Sequence, residues 1–335
     1  MTYIIAEIGN NHNGSIEEAK RITLEAYKSG ADAIKVQSFR GLDIVSPKVL
    51  ASDLPEWDTG GFEYWYQFAE SIALPLEDHQ ELIDYSISLG LDFITTPVSV
   101  GILAELEQFN GISAYKVASM DLTNKNLLIQ MSKTSKPIIM STGMGSMEEI
   151  GSAVDIFKKS NLTLLHCVSD YPLDPANAFL GNIKILKESF KDYKIGFSDH
   201  SLGHELSVAA VCLGAEVIEK HFTLDRNNKK PAEHHMSMEP DEFMRLTQWI
   251  KALDTNFSQD KWGRSEIETS NKVQFRRSFH YKSALSLGHI VTLDDLTFVR
   301  PGQGIGYDQI EDILEKKLIR SVEPFQPCLI KDFES

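Results

Sequence analysis

The chain of 335 residues is short of cysteine, of long apolar runs and of positive charge, and each shortage removes a class of protein. Its three cysteines, Cys167, Cys212 and Cys328, are scattered, odd in number and free of CxxC spacing. Neither a disulfide framework nor a cysteine-zinc site is indicated, and a reducing, cytoplasmic setting is expected. No stretch approaches the roughly 18 apolar residues of a membrane span, and the N-terminus, MTYIIAEIGNNHNG, turns polar too early for a signal peptide. Lysine and arginine number 33 against 48 aspartates and glutamates, a net charge of −15. Nucleic acid and anionic membranes are captured by clustered cations, so neither is an expected partner. An anionic substrate must then be held by a local pocket. With 21 glycines, 12 prolines and 42% hydrophobic residues, the composition is that of an ordinary globular protein with a sizeable core.

What is present is a regular alternation. Short β-branched runs at 2–9, 33–39, 92–98, 114–119, 137–143, 162–169, 193–200 and 216–223 are each followed by a helical pattern, the signature of βα units around a parallel sheet. Eight such units predict a closed TIM (β/α)8 barrel over residues 1–258. In the first helix Ser15 is placed to cap, Ala19, Ile22, Leu24 and Ala26 form the apolar face, and Gly30 marks the stop. A weak repeat, AYKSGADAIKV (26–36) and AVCLGAEVIEK (210–220), is explained by recurring turn chemistry between helix and strand. Residues 41–90 insert a stretch containing Trp and Pro between the second and third strands, a candidate lid or wall. A polar segment, 259–278, reads as a linker, and residues 279–335 read as a small β-rich domain. So few residues fold only marginally alone, which predicts packing on the barrel or on a partner.

In a TIM barrel, polar residues at the carboxyl ends of the strands converge on one mouth. Here those ends present Glu7 with Asn11 and His12; Lys35 and Gln37; Thr95 and Thr96; Lys116 and Ser119; Ser141 and Thr142; Ser169 and Tyr171; Ser198 and His200; and His221. Taken singly, each is a capping or satisfied polar group; taken together, they describe a site. Lys35 and Lys116 occupy positions where alternation would otherwise point an apolar side chain inward. Burying an ammonium group is costly unless it is paired. A phosphate ligand is the natural partner, with Ser119, Ser141 and Ser198 as hydroxyl donors; a Schiff-base lysine is the competing reading. His200 and His221 end neighbouring strands, so they suit a divalent first-row metal or, alternatively, structural or acid-base roles. His234 and His235, beside Glu233, lie in a polar loop and read as solvated.

Read in order, AEIGNNHNG (6–14), IKVQSF (34–39), TTPVS (95–99), YKVAS (115–119), MSTGM (140–144), HCVSDYP (166–172), FSDHSLG (197–203) and EKHFTLDR (219–226) resemble the motifs of the sialic acid synthase family. The family comprises N-acetylneuraminate synthases and relatives making other nonulosonic acids. RRS (276–278) and RPGQGIG (300–306) resemble its C-terminal antifreeze-like (SAF-type) domain. The resemblance implies metal-dependent condensation of phosphoenolpyruvate with the open-chain aldehyde of an N-acetylated amino sugar, giving a nine-carbon 2-keto acid and phosphate. It implies Mn²⁺, or Mg²⁺ or Co²⁺, on His200 and His221, and phosphoenolpyruvate on Lys35, Lys116, Ser119, Ser141, Ser169 and Ser198. It also implies Glu7 as the proton-transfer group, and Gln37, Thr96, Tyr171, Glu233 and Arg300 as sugar contacts. Arg300 would be supplied in trans within a domain-swapped homodimer.

Two departures bear on the acceptor. KPAEHH (230–235) replaces a PGPDH-like loop and puts Glu233 at the acid position, and Ser169 stands where some members carry Asn. N-acetylmannosamine and a 2,4-diacetamido-6-deoxyhexose both remain as acceptors. An imine-forming pyruvate aldolase on the same barrel, and a non-catalytic binder of ice or polyols, are the alternative functions.

Overall fold

A computed structural model describes residues 1–53, 61–157, 162–228, 233–257 and 262–334. The chain divides into two compact units, Met1–Ser258 and Gln259–Ser335.

In the first unit, eight parallel strands close into a barrel in sequential order: β1 (Tyr3–Gly9), β2 (Ala33–Ser38), β3 (Asp92–Pro97), β4 (Ile112–Val117), β5 (Ile138–Ser141), β6 (Leu162–Cys167), β7 (Lys194–Asp199) and β8 (Val217–His221). Closure is made by β8 against β1, with Glu7 opposite His221, while on its other side Glu7 lies opposite Lys35 of β2. β4 begins and ends two residues earlier than its sequence pattern suggests, so Ser119 stands in a short 3-10 turn beyond the strand.

The helices are α1 (Ile16–Lys28), α2 (Gly41–Ile44), α3 (Trp65–Ile72), α4 (His79–Ser88), α5 (Val100–Leu106), α6 (Lys125–Met131), α7 (Met147–Val154), α8 (Gly181–Ser189), α9 (Glu205–Cys212) and α10 (Pro240–Phe257). Ser15 caps α1 by accepting from the Glu18 amide, and Ala19, Ile22 and Ala26 are buried as expected. Leu24 is only partly buried. Thr23 takes the core position instead, which it can do because its hydroxyl bonds the Ala19 carbonyl 2.8 Å away. Both halves of the sequence repeat end a helix on a glycine with positive φ, Gly30 at +87° and Gly214 at +92°. In each the following alanine amide bonds back five residues, Ala31 to Ala26 and Ala215 to Ala210. The repeat is therefore a shared helix-ending turn.

Alternation along the strands makes two cores. Outward residues such as Ile4, Ala6 and Ile8 pack under the helices in one large cluster. Inward residues Ile5, Ala33, Ile94, Ala114, Ile139, Leu165 and Val217 form a separate apolar plug within the barrel.

The second unit holds an antiparallel pair, β9 (Ser278–Tyr281) and β10 (Leu296–Val299), with most remaining residues in turns joined by single bridges such as Leu285 to Val322 and Leu318 to Phe333. It has its own core, including Phe279, Tyr281, Val291, Ile313, Leu318 and Cys328. The polar segment read as a linker contains α11 (Glu266–Phe275), capped by Ser265 and with no buried residue. Its stop and start signals are local, while its lack of an apolar face conceals it from a periodicity reading.

Candidate active site

The alternation that places Ile5 in the plug puts the next inward residue of each strand one layer higher. That layer is Glu7, Lys35, Thr96, Lys116, Ser141, Cys167, Ser198 and Glu219, and all of them line one cavity of about 370 Å3. Asn10, Gln37, Ser119, Ser169, Tyr171, His200, His221 and Glu233 complete its polar lining. Every barrel residue assigned a site role from the sequence faces this space. Asn11, His12, Thr95 and Thr142, also at strand ends, do not line it. Asn11 donates to the Phe222 carbonyl and Ser237, Thr95 shares a hydrogen bond with Ser38, and Thr142 donates to the Leu165 carbonyl, so these side chains hold the scaffold. Arg300 belongs to the second unit, where its exposed guanidinium lies 5.6 Å from the Phe275 ring.

The buried lysines have protein counter-charges, which the sequence reading did not supply. Lys35 Nζ is 2.5 Å from Glu7 Oε2 and 3.8 Å from Glu219 Oε2. Lys116 Nζ is 3.8 Å from Glu219 Oε1, and donates to Ser141 Oγ at 2.7 Å and the Val117 carbonyl at 3.1 Å. Ser198 donates to Glu219 Oε1 at 2.8 Å. A phosphate is thus not needed to make the lysines tolerable; Glu219 bridges both. Its signal was available, since Glu219 shares an inward face with His221 two residues on. Its proximity to Lys116 across the barrel follows from closure and is invisible in one dimension.

The electrostatics separate the two lysines. Burial opposes the charge on Lys35, but Glu219 and Glu7 outweigh it and raise its pKa. Burial dominates at Lys116, whose pKa is lowered despite Glu219. Glu219 is buried as well, yet Lys116, Lys35 and the Ser198 hydroxyl hold it down at about 2. Glu7 differs: burial raises it in spite of Lys35, which makes it the carboxyl of this layer best able to keep a proton.

Glu7, His221 and Glu233 each offer a ligand atom within 4.8 Å of the others'. Glu233 Oε2 is 3.3 Å from His221 Nδ1. Burial works against its charge, but His221 dominates and holds it at about 2. Glu7 Oε1 is buried without a hydrogen-bond partner among the described residues. Two carboxylates, one with an oxygen that lacks a hydrogen-bond partner, and an imidazole fit a divalent cation. His200 lies outside that trio. Its ring centroid is 5.5 Å from that of His221 and 4.2 Å from that of Tyr171, Nδ1 contacts the Val168 carbonyl at 2.8 Å, and its ring meets the Cys167 thiol.

The loop reading of His234 is corrected. It is buried in a 3-10 turn, with Nδ1 2.6 Å from the Thr223 hydroxyl, because a short helical turn folds it under β8; His235 is exposed as expected. Residues 230–232 of the KPAEHH loop lie outside the described residues. From the insertion at 41–90, Ile44, Trp65, Phe68, Ala69 and Ile72 line the cavity.

Comparison with known proteins agrees with this geometry. The profile of the NeuB family matches residues 22–261. The chain is 36% identical to N,N'-diacetyllegionaminic acid synthase of Campylobacter jejuni, over 94% of this chain and 95% of that one. It is 31% identical to the N-acetylneuraminate-9-phosphate synthase of Mus musculus, over 99% and 93%. The crystal structure of the N-acetylneuraminic acid synthetase of Leptospira borgpetersenii superposes with a TM-score of 0.69 at 31% identity, covering 81% of this chain and 90% of that one. With a family profile across most of the barrel and relatives spanning both units, the chain belongs to the NeuB family and is a phosphoenolpyruvate-dependent condensing enzyme.

Proposed function

We propose that the chain condenses phosphoenolpyruvate with the aldehyde of an N-acetylated amino sugar, N-acetylmannosamine or a 2,4-diacetamido-6-deoxyhexose, to give a nine-carbon nonulosonic acid and phosphate. The observation that carries this reading is the division of the cavity layer. Cationic and hydroxyl donors, Lys116, Ser141 and Ser198, stand on β4, β5 and β7, while Glu7 and His221 stand on the adjoining β1 and β8 with Glu233 beside them. The first set suits the phosphate and carboxylate of phosphoenolpyruvate, joined by Lys35, Ser119 and Ser169. The second suits an aldehyde oxygen that takes a proton from Glu7 as it becomes a hydroxyl.

In the reaction, carbon 3 of the enol forms a bond to the aldehyde carbon and the aldehyde oxygen takes a proton. Glu7, raised by burial, is placed to hold that proton at Oε1. Water adds to carbon 2 and gives one proton back to Glu7; the carbon 2 hydroxyl then passes its proton to the departing phosphate as the bond from carbon 2 to the phosphate oxygen breaks, leaving the ketone. Gln37, Thr96, Tyr171 and Glu233 orient the acceptor. A divalent cation, Mn²⁺ before Mg²⁺ or Co²⁺, would polarise the aldehyde. His221 and Glu233 are the residues placed to hold it, with His200 beside His221, while Glu7, whose ligand atom lies within 4.8 Å of theirs, keeps the proton. Charge supports the need for it: with Glu7 protonated, Glu219 and Glu233 balance the two ammonium groups, so an anionic substrate gains no net attraction until a cation is added. Arg300, exposed in the second unit, completes the proposal as a contact made in trans within a homodimer. The free thiols fit a reducing cytoplasm.

The test is phosphate release from phosphoenolpyruvate with each component omitted in turn. The expected result is release only when an N-acetylated amino sugar and a divalent ion are both present, abolished by chelator and restored by Mn²⁺. Release that ignores chelator would contradict the metal role. The aldolase reading depends on Lys116, the lysine whose pKa is lowered by burial. It predicts a borohydride-trapped pyruvate adduct there, and absence of that adduct removes it.

A further inference from the structure

Resting on the condensation reading, we propose that the wall built by Phe39, Ile44, Trp65, Phe68 and Ile72 selects the acceptor by its far end, so that this chain prefers an amino sugar whose carbon 6 is a methyl group over one bearing a hydroxyl or phosphate there. The aldehyde carbon must reach the polar layer at Glu7 and His221, so the remainder of the sugar extends toward the mouth. Beyond Gln37 of β2 and Thr96 of β3 the lining turns apolar, with Phe39 two residues past Gln37 and with Ile44, Trp65, Phe68 and Ile72 from the segment that follows β2.

These side chains form a set surface. Phe39, Phe68, Ala69, Ile72 and Val98 make a core cluster of their own, onto which Ile44 and Trp65 pack, with Trp65 edge-on to Phe68 at 5.9 Å. Two fasteners hold the segment. Gly41 brings α2 so close to α3 that an added Cβ would collide with the Tyr66 carbonyl, and its amide bonds Glu70 Oε2. Arg40 grips Glu105 of α5 through two 2.8 Å hydrogen bonds.

Such a wall accepts a methyl group and gives a hydroxyl nothing in exchange for its lost water. Apolar pockets discriminate against an added hydroxyl only moderately, by about ten- to a hundred-fold in kcat/KM. A phosphate fares worse. Among the described residues the lysines or arginines lining the cavity are Lys35 and Lys116, both deep in the polar layer and engaged with Glu7, Glu219 and Ser141.

The experiment measures kcat/KM of the full-length enzyme for N-acetylmannosamine, its 6-deoxy analogue and its 6-phosphate, in wild type and in Ile44→Asn and Trp65→Gln. The wild type should favour the 6-deoxy sugar over the 6-hydroxy sugar by about ten-fold or more, and over the 6-phosphate by more again. Both variants should narrow the deoxy-to-hydroxy ratio through the acceptor's KM, with the KM for phosphoenolpyruvate unmoved. Equal or better use of the hydroxylated or phosphorylated sugar by the wild type overturns the proposal, as do variants that slow all acceptors alike. Those results leave the condensation reading standing, whereas failure of every acceptor to provoke phosphate release overturns that reading and this one with it. Ile44 is only partly buried, so the Ile44→Asn variant remains informative if the Trp65 variant folds poorly.

Discussion

Glu219 carries more of the site than its place between two ordinary strand residues suggests. It is the carboxylate within ion-pair distance of both buried lysines, and for Lys116 it is the ion partner found within 4 Å among the described residues. Removing one member of a buried ionic group leaves the others uncompensated, which costs about 3–5 kcal/mol. Glu219→Ala should therefore lower unfolding free energy by about that amount, and Glu219→Gln by less, because it keeps a partner for the Ser198 hydroxyl. Urea denaturation of the two variants checks this; a loss below about 1 kcal/mol for Glu219→Ala would mean that Lys116 is neutral or solvated. Glu7→Gln is a separate case, since Glu7 lies beside Lys35 but is the carboxyl whose own pKa burial raises. It should lower kcat by about 10²–10⁴-fold with a much smaller change in KM for phosphoenolpyruvate. A kcat within a few-fold of wild type would move the proton to another group. At this scale the sequence reading reached the residues whose inward direction follows from period two, from Glu7 through His221. Glu219 and Cys167 share that period but carry no separate signal: Glu219 reads as one more charge in the run EKH, and Cys167 as a small apolar residue ending β6.

Among the elements, the adjoining ends of β7 and β8 show how the scaffold holds the histidines. Asp199 and Lys220 face each other in register and form a fully buried ion pair of 2.9 Å. Asp199 also accepts from the Ser201 amide, the Ser201 hydroxyl and the Ser207 hydroxyl, while Lys220 donates to the Ser201 carbonyl. Each ion immediately precedes a site histidine, His200 or His221. Lys220→Met should cost about 3–5 kcal/mol of stability, and at temperatures where the variant remains folded it should weaken Mn²⁺ binding read by electron paramagnetic resonance. Unchanged metal affinity would separate the pair from the site. The strands that carry these groups were legible from β-branched runs and turn residues, as was the wall between β2 and β3 as a departure from even spacing. Which side chains of the insertion meet the cavity was not legible, because α2 and α3 reach it through tertiary packing at Gly41 and Arg40, far apart in sequence from Tyr66 and Glu105.

For the whole molecule, the net charge of −15 surrounds a cavity whose own carboxyl groups already outnumber its lysines. On the proposed metal role, the affinity for an anionic substrate should rise with divalent-ion concentration. Folding stability has a different pH control. Burial lowers His12 from an ordinary 6.5 to about 4, and lowers His79 and His166 in the same direction. Between pH 6.5 and about 4 the unfolded chain binds a proton at His12 that the folded chain does not. Stability therefore rises with pH across that window, by on the order of 3 kcal/mol from His12. Glu7, raised by burial, acts in the opposite sense, so the comparison of wild type with His12→Asn isolates the histidine. The variant should show a shallower rise of the urea midpoint from pH 4.5 to 6.5, and an identical slope would contradict the buried neutral state of His12.

The condensation itself is tested most directly by following oxygen. With phosphoenolpyruvate, an N-acetylated amino sugar and Mn²⁺ in water enriched in oxygen-18, the full-length enzyme should form one 2-keto acid of combined carbon skeleton for each phosphate released. The phosphate should carry no label, because water attacks carbon and the carbon-to-oxygen bond is the one that breaks. Labelled phosphate, or phosphate released without the joined acid, would make the chain a phosphatase of phosphoenolpyruvate and contradict the account.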